Sequence, residues 1–80
     1  MSKPRRVINA VVAANIKAIR RCKHITQEQL AASVGRSDYC IRLYENARLG
    51  ISPKMLNAIA AALCVSVAQL ETPAAQSETQ

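Results

Sequence analysis

The stretch from Thr26 to Asn46, TQEQLAASVGRSDYCIRLYEN, limits the folds open to this chain more than any other feature. It reads as two short helices joined by a tight turn at Gly35. Thr26 suits the N-cap of the first helix, and Gln29 three residues on gives the spacing of a capping box. Leu30, Ala31 and Val34 fall on one helical face, with Gln27 at its edge. Gly35 stands where a chain leaves a helix through positive φ. Ser37 suits the N-cap of the second helix, whose inner face carries Ile41 and Tyr44. Helices joined by so short a turn must cross closely, and Ala31 is small enough to allow it. The pattern is that of a helix-turn-helix, a pair that usually lays its second helix in the DNA major groove.

The rest of the chain also reads as helix, with no sustained period-two run to suggest strands. A first helix is expected from about Arg6 to Lys23, with Ile8, Val12, Ile16 and Ile19 as its buried stripe. Arg20, Arg21 and Lys23 gather at its C-terminal end, where the helix dipole favours cations. Val7 and Val11 lie beside the stripe, for a later helix or a partner subunit to cover. After the motif, residues 47–51 read as a loop. Ser52 and Pro53 then give a clear start signal for a helix running to about Leu63, with Met55, Leu56, Ile59, Ala60 and Leu63 on its apolar face. Cys64 and Val65 form a short break. Ser66 can cap a last short helix to about Leu70, with Val67 and Leu70 inward. The expected fold is an all-α, compact five-helix domain over residues 6–71, preceded by a flexible basic arm (1–5) and followed by a disordered tail (72–80) that lacks apolar bulk. The chain contains no Trp and no Phe, so the core must be aliphatic. A domain of 80 residues buries only about 60% of its unfolded surface, which leaves its stability marginal.

The formal net charge is +6, and its distribution says more than its size. All 11 basic residues lie between Lys3 and Lys54, opposed there only by Glu28, Asp38 and Glu45. From Met55 onward only Glu71 and Glu78 are charged. An anionic partner is therefore expected on the half that holds the helix pair, with DNA the leading candidate. An anionic membrane surface fits less well, because the basic clusters flank a packed motif instead of forming one amphipathic stripe. No segment is long and apolar enough to span a bilayer, and no signal peptide is recognisable, because the apolar run from Val7 is short and broken by Asn9 and Asn15. Cys22, Cys40 and Cys64 are odd in number and widely spaced, and His24 is the only histidine. That spacing suits no zinc site and reads as reduced thiols in a cytoplasmic protein. No nucleophile–base pair or phosphate loop points to an enzyme, and no cofactor, metal or small-molecule ligand is expected.

Three blocks carry a family resemblance: TQEQLAASVG, then Ile41 with Tyr44-Glu45-Asn46, then ISPKMLNAIAAALCVS. Together they resemble the lambda-repressor-like DNA-binding family, which includes the Cro and CI repressors and the controller proteins of restriction–modification systems. The resemblance spans about Val12 to Leu70. It implies a five-helix domain that binds a two-fold operator in double-stranded DNA as a homodimer. Ser37, Asp38, Tyr39, Arg42 and Leu43 would then form the face that enters the groove. Thr26, Gln27, Asn46 and Arg48 would meet the DNA backbone. Arg20 and Glu45 match a pair that forms a partly buried ion pair in phage repressors.

Three departures qualify that carry-over. Arg36 replaces a usually apolar residue under the turn and is expected to reach outward to a phosphate. Ala47 and Cys64 replace frequent glycines at helix ends, so another geometry is expected there. Asp38 puts a carboxylate on the reading face, where its useful base contact is the amino group of cytosine; its alternative role is a favourable charge in the first turn of its helix. Arg42 is the strongest base-reading candidate, because its guanidinium can grip guanine O6 and N7. Leu49, Ile51, Val65 and Val67 are the dimer candidates, and the same apolar residues would serve equally as monomer core. The leading function is a sequence-specific transcriptional regulator, a repressor before an activator of the controller type. A protein-interaction module such as an antitoxin is the alternative from a different class.

Overall fold

The computed structural model describes residues 9–72, which form five α-helices: α1 (Ala10–Cys22), α2 (Gln27–Val34), α3 (Asp38–Glu45), α4 (Pro53–Leu63) and α5 (Val67–Glu71). The basic arm, Arg6, Val7, Ile8 and tail residues 73–80 lie outside the described residues. Within them there is no strand, and Ile51 alone is in an isolated β-bridge. No described helix is long and apolar enough to cross a membrane.

Each helix begins on a side-chain cap. Thr26 and Gln29 make the reciprocal capping box of α2, the Thr26 hydroxyl accepting from the Gln29 N–H at 3.0 Å and the Gln29 amide oxygen from the Thr26 N–H at 2.9 Å. Ser66 and Gln69 repeat the device on α5. Ser37 and Ser52 each accept one backbone N–H at 3.1 Å, with Pro53 opening α4. The start of α1 corrects the expectation of a helix from about Arg6. Asn9 is extended, and its side-chain oxygen accepts from the N–H groups of Val11 (2.9 Å) and Val12 (3.2 Å). A short polar side chain that satisfies those free donors fixes the start at Ala10.

The five helices close on one core to which each contributes a side chain with essentially no exposure: Ile16, Leu30, Ile41, Ile59 with Leu63, and Leu70. Full burial of such a side chain stabilises by about 1.5–3 kcal/mol. α2 packs chiefly on α3 and α4, while α1 crosses α3 and α5. At five residues, α5 is too short to hold itself together. Asn15 secures it from α1: its buried side-chain amide donates to the carbonyls of Leu70 at 2.8 Å and Thr72 at 2.7 Å. Thr72 is thereby tied to the domain, at the boundary drawn for the tail. The sequence reading saw Asn15 only as a polar interruption of an apolar run.

Four helices end in the same reversal, with an N–H reaching back five residues: Ile25 to Arg20, Arg36 to Ala31, Arg48 to Leu43, and Val65 to Ala60. This pairing requires a left-handed residue just past the helix. Gly35 supplies it after α2 at φ 71°, but His24 (59°), Ala47 (57°) and Cys64 (60°) supply it elsewhere. The expectation of another geometry at Ala47 and Cys64 is therefore overturned. The satisfied carbonyls outweigh a left-handed penalty of roughly 1–2 kcal/mol per non-glycine residue.

Two stability predictions follow from these anchors. Asn15→Ala leaves the Leu70 and Thr72 carbonyls without their donor and should cost about 1–3 kcal/mol. In a domain this small each kcal/mol lowers Tm by about 4–8 °C, so an unchanged thermal melt would contradict the tether. Ala47→Gly should raise Tm modestly, because the relieved strain exceeds the unfolded-state entropy that glycine adds, about 0.4–1 kcal/mol.

Candidate nucleic-acid interface

The motif is positioned by its turn. Ala31 is buried where α2 meets α3, and the left-handed Gly35 sends the chain directly into the Ser37 cap. Ile41 and Tyr44 point inward, which leaves the opposite face of α3 to solvent. On that face Ser37, Tyr39 and Arg42 are exposed, Tyr39 to 59%, and Asp38 and Leu43 are half-buried. The five candidates for base reading thus share one surface.

Arg42 is not free on that surface. Its guanidinium lies 5.8 Å from the centre of the Tyr39 ring and 4.0 Å from the Asp38 carboxylate, one helical turn back. An exposed pair of this kind is worth about 0.3–0.5 kcal/mol. It orients the arginine without locking it, so Asp38 acts on Arg42 as well as on the dipole of α3.

The backbone-contact candidates lie around this face. Thr26 and Gln27 share an open polar hollow with Arg20, Arg21, Glu28 and Asp38, between the end of α1 and the starts of α2 and α3. Arg36 is exposed at the turn, where its Nη1 donates to the Gly35 carbonyl at 3.2 Å. Asn46 caps the far end of α3, and both it and Arg48 are exposed there.

One buried polar cluster holds the pieces in register. Glu45, at the end of α3, accepts from Arg20 Nε at 2.6 Å and from Arg20 Nη2 at 3.1 Å. The Arg20 and Glu45 side chains are only 9% and 1% exposed. Arg20 Nη1 also donates to the Ile25 carbonyl at 2.8 Å. Gln27 Nε2 completes the cluster by donating to Glu45 Oε1 at 3.0 Å. Gln27 is therefore partly committed inward, a bond the sequence reading missed; its carbonyl oxygen and second amide hydrogen are additional bonding groups.

Beneath the turn, burial pushes the Tyr44 hydroxyl above the usual tyrosine range, helped by the Cys40 thiol and opposed in part by the Arg36 guanidinium. Tyr44 is thus a neutral core residue. Leu49, Ile51 and Val67 line, together with Tyr44, a mainly apolar groove edged by Asn9, Asn57 and Glu71, whereas Val65 is half-buried outside that lining.

Glu45→Gln should be strongly destabilising, because it leaves the Arg20 charge buried without its counter-charge. The expected loss is about 3–5 kcal/mol, read as a large drop in Tm. A melt indistinguishable from that of the parent chain would show that the pair carries no weight.

No family model matches the chain. No curated protein matches it either. Solved structures do. The hypothetical transcription factor NHTF from Neisseria is 28% identical, with a TM-score of 0.79 over 96% of this chain and 91% of that one. The clp gene regulator ClgR from Corynebacterium glutamicum is 27% identical, with a TM-score of 0.81 over 92% of this chain and 79% of that one. The P22 c2 repressor, solved in complex with a synthetic operator, is 29% identical, with a TM-score of 0.69 over 74% of this chain and 89% of that one. The domain also resembles 35% of the hydroxypropylphosphonic acid epoxidase chain from S. wedmorenis, at 22% identity, a likeness of fold alone. The likeness to regulators agrees with the Thr26–Asn46 motif: the chain has the five-helix, lambda-repressor-like helix-turn-helix fold that these transcription regulators share.

Proposed function

We propose that this chain is a sequence-specific transcriptional regulator, a homodimeric repressor that reads an inverted-repeat operator with α3 in the major groove. The observation that carries the reading is the outward face of α3: a solvent-facing set of polar and aromatic side chains, flanked by exposed arginines and held by a buried ion pair. The P22 c2 repressor, which shares this fold, was solved on operator DNA.

The division of labour follows from the chemistry. Arg36 and Arg48 neutralise phosphates, while Thr26, Gln27 and Asn46 fix the register through hydrogen bonds to the DNA backbone. Base reading falls to Ser37, Asp38, Tyr39, Arg42 and Leu43. Arg42 reaches guanine O6 and N7 after leaving its weak pairing with Asp38. Asp38 then accepts from a cytosine amino group, which lessens its repulsion by phosphate. Tyr39 stacks against sugar or a thymine methyl, and Leu43 covers a second methyl. Leu49, Ile51, Val65 and Val67 are the surface for a second copy.

Selection of binding sites from random duplex DNA tests this reading and should return an inverted repeat. Arg42→Ala should weaken binding by about 1–3 kcal/mol and relax preference at one base pair of each half-site. The assignment fails if affinity and selected sequence are both unchanged.

A further inference from the structure

We propose that Arg42 and Asp38 read a single G·C base pair together, Arg42 on the guanine and Asp38 on the cytosine paired with it. Asp38 then sets specificity by excluding other pairs, while it lowers affinity for DNA in general. The inference rests on the reading of α3 as the groove helix and deepens it.

Three observations carry it. The two side chains already meet, Arg42 Nη2 lying 4.0 Å from Asp38 Oδ2, and each is about half exposed. The Tyr39 ring, 5.8 Å from the Arg42 guanidinium, lies beside the same group. Long helical side chains lean toward the helix N-terminus, so the arginine charge is held over the first turn of α3, next to Asp38. Glu45, the other charged residue of α3, is buried against Arg20, which leaves Asp38 and Arg42 as the charges this helix can show to a base.

The spacing fits one base pair. In the major groove, guanine O6 and cytosine N4 are Watson–Crick partners about 3 Å apart. Groups that stand 4.0 Å apart in the free protein can engage both with little movement. Other pairs fail one of the two. A·T sets thymine O4 before the carboxylate, acceptor against acceptor, and C·G sets guanine O6 there. T·A offers adenine N6 to Asp38 but gives Arg42 one acceptor and a methyl group. Phosphates repel Asp38 at every sequence, and only G·C compensates it fully. Discrimination thus comes from a repulsive element as well as an attractive one.

Titrations of the full chain with its selected operator and with random duplex test the unit. The pair whose preference Arg42→Ala relaxes should be G·C. Asp38→Ala should reduce discrimination at that same pair about tenfold and strengthen binding to random duplex severalfold. Ser37 still caps α3 in that variant, so its melt should stay near the parent's. Glu28→Ala, which removes another exposed acid of the motif, should strengthen random binding and leave the preference intact. N4-methylcytosine at that pair removes the amino hydrogen offered to Asp38; it should weaken the parent chain about tenfold and leave Asp38→Ala unaffected. The proposal is overturned if the pair is not G·C, if Asp38→Ala relaxes another pair or none, or if methylation spares the parent or weakens both chains alike. Each of these results leaves operator binding standing, whereas absence of duplex binding sinks the proposed function and this inference together.

Discussion

The paired bonds between Arg20 and Glu45 hold the end of α1 to the end of α3, and the geometry of the motif depends on them. Neither charge has enough solvent to be stable alone. Each is satisfied only when α1 stops at its observed place, the Ile25 carbonyl turns in, and Gln27 reaches across from α2. The cluster therefore acts as a register check on three helices at once. An apolar replacement of similar volume could match its stability but would not impose the same alignment. In a core built from Ile, Leu, Val, Met and Ala, which tolerates sliding, such a check gives the outer face of α3 a fixed position.

That face is less basic than the protein around it. Of its five side chains only Arg42 is cationic, and Asp38 offsets it one turn away. The arginines at the turn and beyond α3 carry the charge instead. Long-range attraction and local discrimination are thus assigned to different residues, consistent with affinity from phosphates and specificity from base edges. The tethers elsewhere serve the same rigidity. Asn15 fixes a helix of five residues, and the left-handed reversals after α1, α3 and α4 are kept without a glycine.

Much of this was legible because local signals and global fold agree. Capping residues and helical spacing located α2, α3 and α4 closely, since Thr26, Ser37 and Ser52 mark boundaries that packing does not override. The apolar spacing misplaces the start of α1 because Asn9, a polar break in that run, is its cap. Asn15 was misread for a related reason: a side chain that bonds carbonyls more than fifty positions away leaves no periodic trace. The inward bond of Gln27, to a residue 18 positions on, leaves no such trace either. Cys64 and Ala47 show the opposite failure, where a residue preference suggested a geometry that hydrogen bonding overruled.

The central claim is that α3 faces a polyanionic duplex, and the salt dependence of binding tests it most directly. Affinity for duplex DNA should fall linearly on a log–log plot against salt concentration, with a slope of about −0.9 for each phosphate neutralised. The account predicts a steep slope that becomes shallower when Arg36 or Arg48 is replaced by alanine. Absence of DNA binding at low salt, or binding indifferent to salt, would contradict it.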